Sequence, residues 1–296
     1  MLSRRIIAAM LTATFFLTLL ATPASAAKPA RPSPGGERPL TADELAAAQR
    51  KVASAEAYEA SLAAAGTDLV SLACVTPESQ TEVTTGSETE SDTALACSPP
   101  QGFLGVEARD QVFGHYCGPA VGQVIANYSW AMGAGLNKYT QGKIAGWMLT
   151  DALGRTDAPY MEDGLELATA GSPRRPANWD WVVLNLTDTD RDGTTADQLH
   201  SYVRSNISGS RMPLAIPVKP HDKLSDFHLS SWQKPVASVG HWIAVYGWLG
   251  TWIGGDSART YYTDSSRDEG GATGKFWDPT RHIAIMIGQH TGRIVW

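Results

Sequence analysis

Apolar and polar positions first indicate a long helix near the N-terminus. Residues 45–65 (LAAAQRKVASAEAYEASLAAA) are rich in helix formers, contain no Gly or Pro, and carry a thin apolar face made mostly of Ala. The preceding Thr41-Ala-Asp-Glu44 is a capping-box pattern, with Thr41 as the N-cap and Glu44 bonding back to its amide. The pattern predicts a helix over Leu45–Ala65 that ends at Gly66 and lies against a larger body.

From about residue 101 the chain is richer in Gly, Trp and β-branched residues. Helical periodicity predicts one helix over residues 119–131 and a second over Ala196–Asn206, capped by Thr194 or Thr195. Strand-like apolar runs are Leu214–Val218, His241–Trp248, Thr260–Thr263 and Ile283–Ile287. Helices followed mainly by strands predict a single α+β domain over residues 101–296.

The first 26 residues have the pattern of a secretory signal peptide. Arg4-Arg5 is followed by an apolar run from Ile6 to Ala21 and by small residues ending at Ala26. The alternative is a retained membrane anchor, for which the apolar run is short. We therefore expect cleavage near Ala26 and a secreted, extracellular mature protein that does not remain in the membrane.

Residues 27–100 have the composition of a linker, a helix and a loop-rich segment. This region could be a prosegment that covers a substrate groove until export, or an N-terminal arm packed on the domain. Cys74 and Cys97 flank its polar loop, and in an oxidising compartment they are expected to form a disulfide that leaves Cys117 free. Pairing of Cys117 with either of the other two stays open.

Composition and charge narrow the classes of partner. The chain is 43% apolar and 18% charged, with a formal net charge of −6 at pH 7. An acidic balance gives no electrostatic reason to expect a nucleic acid or an anionic membrane as partner. The expected partner is a peptide or protein substrate, and the expected oligomeric state is a monomer.

The stretch 111-QVFGHYCGPAVGQVI-125 places Cys117 at the predicted start of a helix. Unpaired backbone N–H groups and the positive end of the helix dipole favour a thiolate at such a position. Pro119 suits the first turn, where no N–H is needed. Gln111, six positions before the cysteine, can donate a hydrogen bond to an oxyanion that also meets the Cys117 amide.

Two later segments supply the other groups of a nucleophilic site. His241 begins the apolar strand 241-HWIAVYGW-248, and Asp264 ends the aromatic strand 260-TYYTD-264. Adjacent antiparallel strands would bring this carboxylate beside the imidazole and fix its tautomer. Asp256 and Asp278 are close enough in sequence to compete for this role.

The order Gln…Cys-Gly-Pro…Gly-His-Trp…Asp resembles papain-like cysteine peptidases, and most closely their C39-like bacterial branch. The resemblance implies a papain-like fold, with a nucleophile-bearing helix packed on an antiparallel sheet. It also implies that Cys117 is the nucleophile, His241 the general base and acid, Asp264 the orienting group and Gln111 the oxyanion donor. No cofactor is required for this chemistry.

The chain departs from that branch in two respects. The better-known C39 peptidases are fused to an ATP-binding transporter, which is not found here, and the family often has Asp where this chain has Tyr116. The expected function is hydrolysis of peptide bonds. The alternatives are an amidase or acyltransferase using the same triad, such as a transglutaminase-like enzyme or a cell-wall peptide hydrolase, or a non-catalytic peptide-binding domain of the same fold.

A second candidate site is the acidic stretch 188-DTDRDGTTADQL-199. Asp188, Asp190 and Asp192, followed by Gly193, match the first half of an EF-hand calcium loop. Position twelve is Leu199 instead of the bidentate Glu. The stretch is a candidate structural Ca²⁺ site, and the alternative is an acidic turn at a helix N-terminus.

Overall fold

The fold is built on one antiparallel sheet with helices packed around it. The computed structural model describes residues 37–64, 100–186, 194–220, 227–232, 240–251, 257–266 and 271–296. Its helices are α1 (Ala42–Ala64), α2 (Cys117–Ser129), α3 (Gln141–Trp147), α4 (Thr150–Leu153), α5 (Ala158–Thr169), α6 (Thr194–Arg204) and α7 (Thr280–His290), and α6 runs into a π-helical turn, Ser205–Ser210. Its strands are β1 (Gln101–Phe103), β2 (Val183–Asn185), β3 (Leu214–Val218), β4 (His241–Leu249), β5 (Arg259–Asp264), β6 (Gly274–Pro279) and β7 (Arg293–Val295). The chain is therefore α+β, as its pattern predicts.

The order of strands places the first residue of β4 beside the last residue of β5. The described strands run in the order β2-β7-β3-β4-β5-β6, and β1 also pairs with β4. β4 and β5 are antiparallel, with Ala244 opposite Thr263. His241 and Asp264 consequently lie at the same end of neighbouring strands.

Helix α2 forms the centre of the packing against this sheet. It contacts α3, α5 and β4, and every residue from Gly118 to Ser129 is buried. Val121, Val124 and Ile125 belong to the apolar core of the domain. A helix buried along its whole length holds its first residue, Cys117, in a fixed position relative to the sheet.

Helix α1 begins with the predicted capping box. The Thr41 amide donates to Glu44 Oε2 at 2.5 Å, and the Glu44 amide donates to Thr41 Oγ1 at 3.2 Å. The helix then runs to Ala64, and Gly66 lies outside the described residues. It packs against β2, α6 and the turn Ser205–Ser210.

The other predicted elements agree with the structure except at one apolar run. The predicted helices at 119–131 and Ala196–Asn206 correspond to α2 and α6, and three predicted strands correspond to β3, β4 and β5. The strand prediction for Ile283–Ile287 is wrong, because these residues form the interior of α7. All five are buried, so no polar position reveals the helical period.

Several predictions fall on residues outside the described ranges. They are the signal peptide over residues 1–26, the Cys74–Cys97 disulfide, and the candidate calcium ligands Asp188, Asp190 and Asp192. Among the described residues, no cluster of three or more His, Cys, Asp or Glu side chains could hold a metal ion. No helix in the described ranges combines the length and the apolar character needed to cross a membrane.

Candidate active site

Cys117 is the first residue of α2 and is partly accessible to solvent. It is a free thiol and the only cysteine among the described residues. Tyr116 precedes the helix without forming a side-chain cap. The first backbone N–H groups of α2 therefore keep their donors for a negative charge that develops near the sulfur.

Gly118, directly after the nucleophile candidate, is required by close packing. A Cβ atom built on Gly118 would lie 2.2 Å from Thr156 Oγ1. Thr156 is itself held, because Thr150 Oγ1 lies 2.7 Å from its hydroxyl and the Trp242 indole N–H donates to its carbonyl at 2.9 Å. The glycine thus lets the start of α2 approach the segment before α5 and the strand that carries His241.

His241 and Asp264 form a buried hydrogen-bonded pair. His241 Nε2 lies 2.7 Å from Asp264 Oδ1. The relative exposure of the two residues is 4% for His241 and 0% for Asp264. The carboxylate that the sequence pattern assigns to the imidazole is therefore the one that contacts it.

Other hydrogen bonds fix the carboxylate of Asp264 in this orientation. Ser231 Oγ donates to Oδ2 at 2.5 Å, the Trp232 indole N–H donates to Oδ2 at 3.0 Å, and the Ser266 amide donates to Oδ1 at 2.8 Å. The Trp232 ring also packs edge-on against the His241 ring, with centroids 5.5 Å apart. Trp232 thus shields the pair from water while it orients the carboxylate.

Sequence reasoning missed Ser231 and Trp232. They lie more than thirty positions before Asp264, and no periodicity connects them to it. The available signal is compositional: 230-SSW-232 places two hydroxyls and an indole donor nine to eleven positions before His241. Buried carboxylates require such donors.

Burial and charge shift the pKa values of His241 and Asp264 in opposite directions. Burial by itself lowers the pKa of His241, but the charge of Asp264 and hydrogen bonds to Asp264 and Cys117 outweigh it and raise that pKa above its ordinary value. Burial would raise the pKa of Asp264, but the charge of His241 and the bonds from His241, Ser231 and Ser266 hold it below its ordinary value. Both shifts favour the charged forms, an imidazolium beside a carboxylate.

Cys117 also acts on the imidazole of His241. Its side chain contributes, after Asp264, to the raised pKa of His241. Because Nε2 contacts Asp264, Nδ1 is the ring nitrogen left for the sulfur. An imidazole anchored by a carboxylate at one nitrogen can transfer a proton at the other.

Gly240, which precedes His241, is also required by close packing. A Cβ atom at this position would lie 2.6 Å from His290 Nε2. Burial lowers the pKa of His290 to about 4, with a smaller opposing effect of Asp157, so its ring is neutral at pH 7. The His290 ring of α7 thus occupies the space beside Gly240.

The main chain of Gln111 is fixed near the end of β5, and its side chain is bonded locally. Its backbone N–H donates to the Ser265 carbonyl at 3.0 Å. Its side-chain Nε2 donates to the Gly114 carbonyl at 3.1 Å, and its buried Oε1 has no hydrogen-bond partner. The structure brings Gln111 to the loop before Cys117 with its amide donor directed to that loop.

The loop between Gln111 and Cys117 is anchored at its second half by α4. Tyr116 Oη donates to Asp151 Oδ2 at 2.9 Å, and His115 Nε2 lies 3.3 Å from Asp151 Oδ1. Val112 and Phe113, in the first half, are 62% and 58% exposed. Two apolar side chains of the loop before Cys117 are therefore exposed to solvent.

Of the two rival carboxylates, Asp278 is among the described residues, and it does not share the position of Asp264. Asp278 accepts hydrogen bonds from Tyr262 Oη at 2.6 Å and from the Ser230 amide at 3.1 Å, while the imidazole of His241 faces Asp264. Asp256 lies outside the described residues.

The four residues predicted from the sequence therefore lie around the start of α2 and one end of the sheet. Cys117 and Gln111 come from α2 and the loop before it, and His241 and Asp264 from β4 and β5. Comparison of the chain with family models, with curated proteins and with solved structures gives no match.

Proposed function

We propose that this chain is a secreted cysteine peptidase of papain-like fold that hydrolyses peptide bonds through Cys117, His241 and Asp264. The observation that carries the proposal is the buried His241–Asp264 pair, 2.7 Å apart, together with a thiol at a helix N-terminus that helps to raise the pKa of the imidazole. A cysteine that served only to fill the core would not require a charged, fully hydrogen-bonded pair beside it.

The first half of the reaction is acylation of Cys117. The sulfur, as a thiolate paired with the His241 imidazolium, attacks the carbonyl carbon of the substrate, and an S–C bond forms. The carbonyl oxygen becomes an oxyanion within reach of the Cys117 amide and, after reorientation of its side chain, of Gln111. His241 then donates its proton to the leaving amine as the C–N bond breaks.

The second half is hydrolysis of the thioester. Neutral His241 accepts a proton from water, whose oxygen attacks the same carbonyl carbon. The C–S bond then breaks, which releases the acid product and restores the thiolate and the imidazolium. Asp264 keeps the ring oriented and stabilises its positive charge in both halves.

Selective alkylation of Cys117 tests the proposal. Iodoacetamide should modify Cys117 of the folded protein at pH 6 about tenfold or more faster than free cysteine, because a paired thiolate persists below the pH at which an ordinary thiol ionises. An epoxide inhibitor of papain-type enzymes should modify the same residue, and mass spectrometry of the digested protein locates the adduct.

His241→Ala removes the imidazole and keeps the thiol, and Cys117→Ala, which lacks the thiol, is the negative control. The rate advantage should disappear in His241→Ala. A wild-type rate no higher than that of free cysteine, or a rate that does not depend on His241, would remove the catalytic assignment. A library of peptides incubated with the wild type should yield cleaved products, whereas amine-transfer products without cleavage would identify a transferase instead.

Export, the Cys74–Cys97 disulfide and calcium binding at Asp188, Asp190 and Asp192 stay predictions. In an oxidising extracellular location, a nucleophilic thiol has to remain outside any disulfide. The predicted pairing of Cys74 with Cys97 would leave Cys117 as this free thiol.

A further inference from the structure

The loop that carries Gln111 is held by a buried glutamine from another element. Gln141, the first residue of α3, is 4% exposed. Its Nε2 donates to the Asp110 carbonyl at 2.6 Å, and its Oε1 accepts from the Val112 amide at 3.0 Å. One side chain therefore bonds the main chain immediately before and immediately after Gln111.

The same side chain is connected to the helix that carries the nucleophile. Gln141 Nε2 also donates to Gln123 Oε1 at 3.1 Å. Gln123 lies six positions after Cys117 on α2, is 5% exposed, and donates from its own Nε2 to the Tyr139 carbonyl at 2.7 Å. Both N–H groups and the oxygen of Gln141 are thus used, so its amide has a single satisfied orientation.

A further hydrogen bond connects the loop that carries Gln111 to the end of β5, where Asp264 lies. The Gln111 backbone N–H donates to the carbonyl of Ser265, which follows Asp264. The main chain around Gln111 is consequently fixed to both α2 and the end of β5. The Gln111 side chain is held by one hydrogen bond, to the Gly114 carbonyl, and only this bond has to break for its amide to turn towards a substrate.

We propose that Gln141 is a positioning residue that holds Gln111 in register with Cys117, so that the Gln111 amide meets the oxyanion of the transition state. This inference rests on the proposed peptidase function. A group that contributes only in the transition state changes kcat and leaves KM unchanged, and small displacements of such a group are costly.

Two kinds of reaction at Cys117 separate this role from a structural one. Hydrolysis of the p-nitrophenyl ester of N-benzoylglycine passes through an oxyanion, whereas alkylation by iodoacetamide displaces iodide and forms none. Gln141→Met keeps the length of the side chain and removes its three hydrogen bonds. It should lower kcat for the ester about tenfold, with KM and the alkylation rate within about twofold of wild type.

Further variants make the test specific. In a Gln111→Ala background, Gln141→Met should cause no additional loss of kcat, because the group that it positions is gone. Gln123→Met removes the link from Gln141 to α2 together with the bond to the Tyr139 carbonyl, and leaves the two bonds from Gln141 to the loop. It should lower kcat in the same direction but by a smaller factor, about threefold. Gln49→Met, at an exposed glutamine of α1, is the control and should leave all rates unchanged.

The outcomes distinguish this inference from the proposed function. If wild type neither hydrolyses the ester nor shows selective alkylation, the proposed function fails. If wild type is active and Gln141→Met keeps its kcat, or if its losses add to those of Gln111→Ala, the positioning role is overturned. A joint fall of kcat, alkylation rate and melting temperature would also overturn it, because Gln141 would then only maintain the fold.

Discussion

Asp264 accepts hydrogen bonds at both carboxylate oxygens. Oδ1 faces His241 Nε2 and the Ser266 amide, and Oδ2 accepts from Ser231 Oγ and the Trp232 indole. An asparagine in place of Asp264 would direct its NH₂ group towards one of these N–H donors in either orientation of the amide, so that two donors would face each other. A carboxylate is therefore the group that satisfies this site, and its negative charge also stabilises the His241 imidazolium.

Asp264→Asn should lower kcat for ester hydrolysis roughly tenfold or more, because the imidazole loses its charge partner and part of its orientation. The pH profile of kcat/KM for peptide hydrolysis should change as well. Donation of a proton to the leaving amine requires protonated His241, whose pKa is raised partly by Asp264. The alkaline limit of the profile should therefore move to lower pH, by about one unit or more.

Asp278→Asn is the control for this change. Asp278 is also a buried carboxylate, but it is bonded to Tyr262 and Ser230. Its variant should keep the alkaline limit of the wild type. An unchanged limit in Asp264→Asn would contradict the assignment of Asp264 as the charge partner of His241.

At the scale of elements, α1 packs against one edge of the sheet. Its partner β2 is the outermost strand, and β4, which carries His241, lies three strands away, or about 14 Å at the usual strand spacing. Lys51 lies 3.5 Å from the centroid of the Trp179 ring and donates to the Asp180 carbonyl at 2.8 Å, and Arg204 Nε donates to Glu59 at 2.8 Å. These contacts favour an integral arm for the helical part of residues 27–100.

Ala55→Glu should separate an integral arm from a covering prosegment. Ala55 is 3% exposed on the packed face of α1, so a carboxylate there should loosen the helix and lower the free energy of unfolding by about 1–3 kcal/mol. The alkylation rate of Cys117 should stay the same, because the helix lies beside a distant strand. Urea unfolding and iodoacetamide kinetics on the same preparation measure both quantities.

Ala57→Glu introduces the same charge at an exposed position two residues further along. It should change the free energy of unfolding by less than about 0.5 kcal/mol. A faster alkylation of Cys117 in Ala55→Glu than in Ala57→Glu would indicate that α1 restricts access to the thiol, and would favour the prosegment instead.

The elements differ in how far local pattern determines them. The capping box of α1 and the apolar runs of β3, β4 and β5 are local signals, and the structure confirms them. The run Ile283–Ile287 has the length of a strand and no polar position, so only tertiary packing decides that it is helical. α5 was not predicted at all.

The candidate active site also combines features that local sequence patterns indicate with features that depend on tertiary contacts. The pairing of His241 with Asp264 follows from adjacent antiparallel strands, which sequence can indicate. The contribution of Trp232 and the glutamine pair of α2 and α3 depends on side-chain geometry between distant segments. Such contacts leave no periodic pattern in the sequence, so only the three-dimensional structure reveals them.

For the molecule as a whole, stability at neutral pH is set partly by one buried acid. The chain carries a formal charge of −6, and Glu162 of α5 is 8% exposed with Oε2 unbonded. Burial raises the pKa of Glu162 to about 8, and the charge of Glu44 acts in the same direction. Between its ordinary pKa near 4.5 and about 8, the folded chain therefore holds a proton that the unfolded chain has lost.

The contribution of Glu162 to stability falls with rising pH in this interval, because this group binds a proton in the folded state and not in the unfolded state. The contribution of Glu162 approaches about 1.4 kcal/mol for each pH unit. Glu162→Gln, which is neutral in both states, should remove this loss. The variant should match wild type near pH 4.5 and exceed its free energy of unfolding by about 2–3 kcal/mol at pH 7.

Urea unfolding of wild type and variant at intervals from pH 4.5 to 8 measures the difference. Glu56→Gln, at an exposed carboxylate of α1, is the control and should show no pH-dependent gain. A gain in Glu162→Gln that is equal at pH 4.5 and pH 8 would mean that packing of the amide, and not removal of an ionisable group, stabilises the fold. A gain that grows with pH would show that burial of Glu162, beside Glu44 at the start of α1, destabilises the folded protein above pH 4.5.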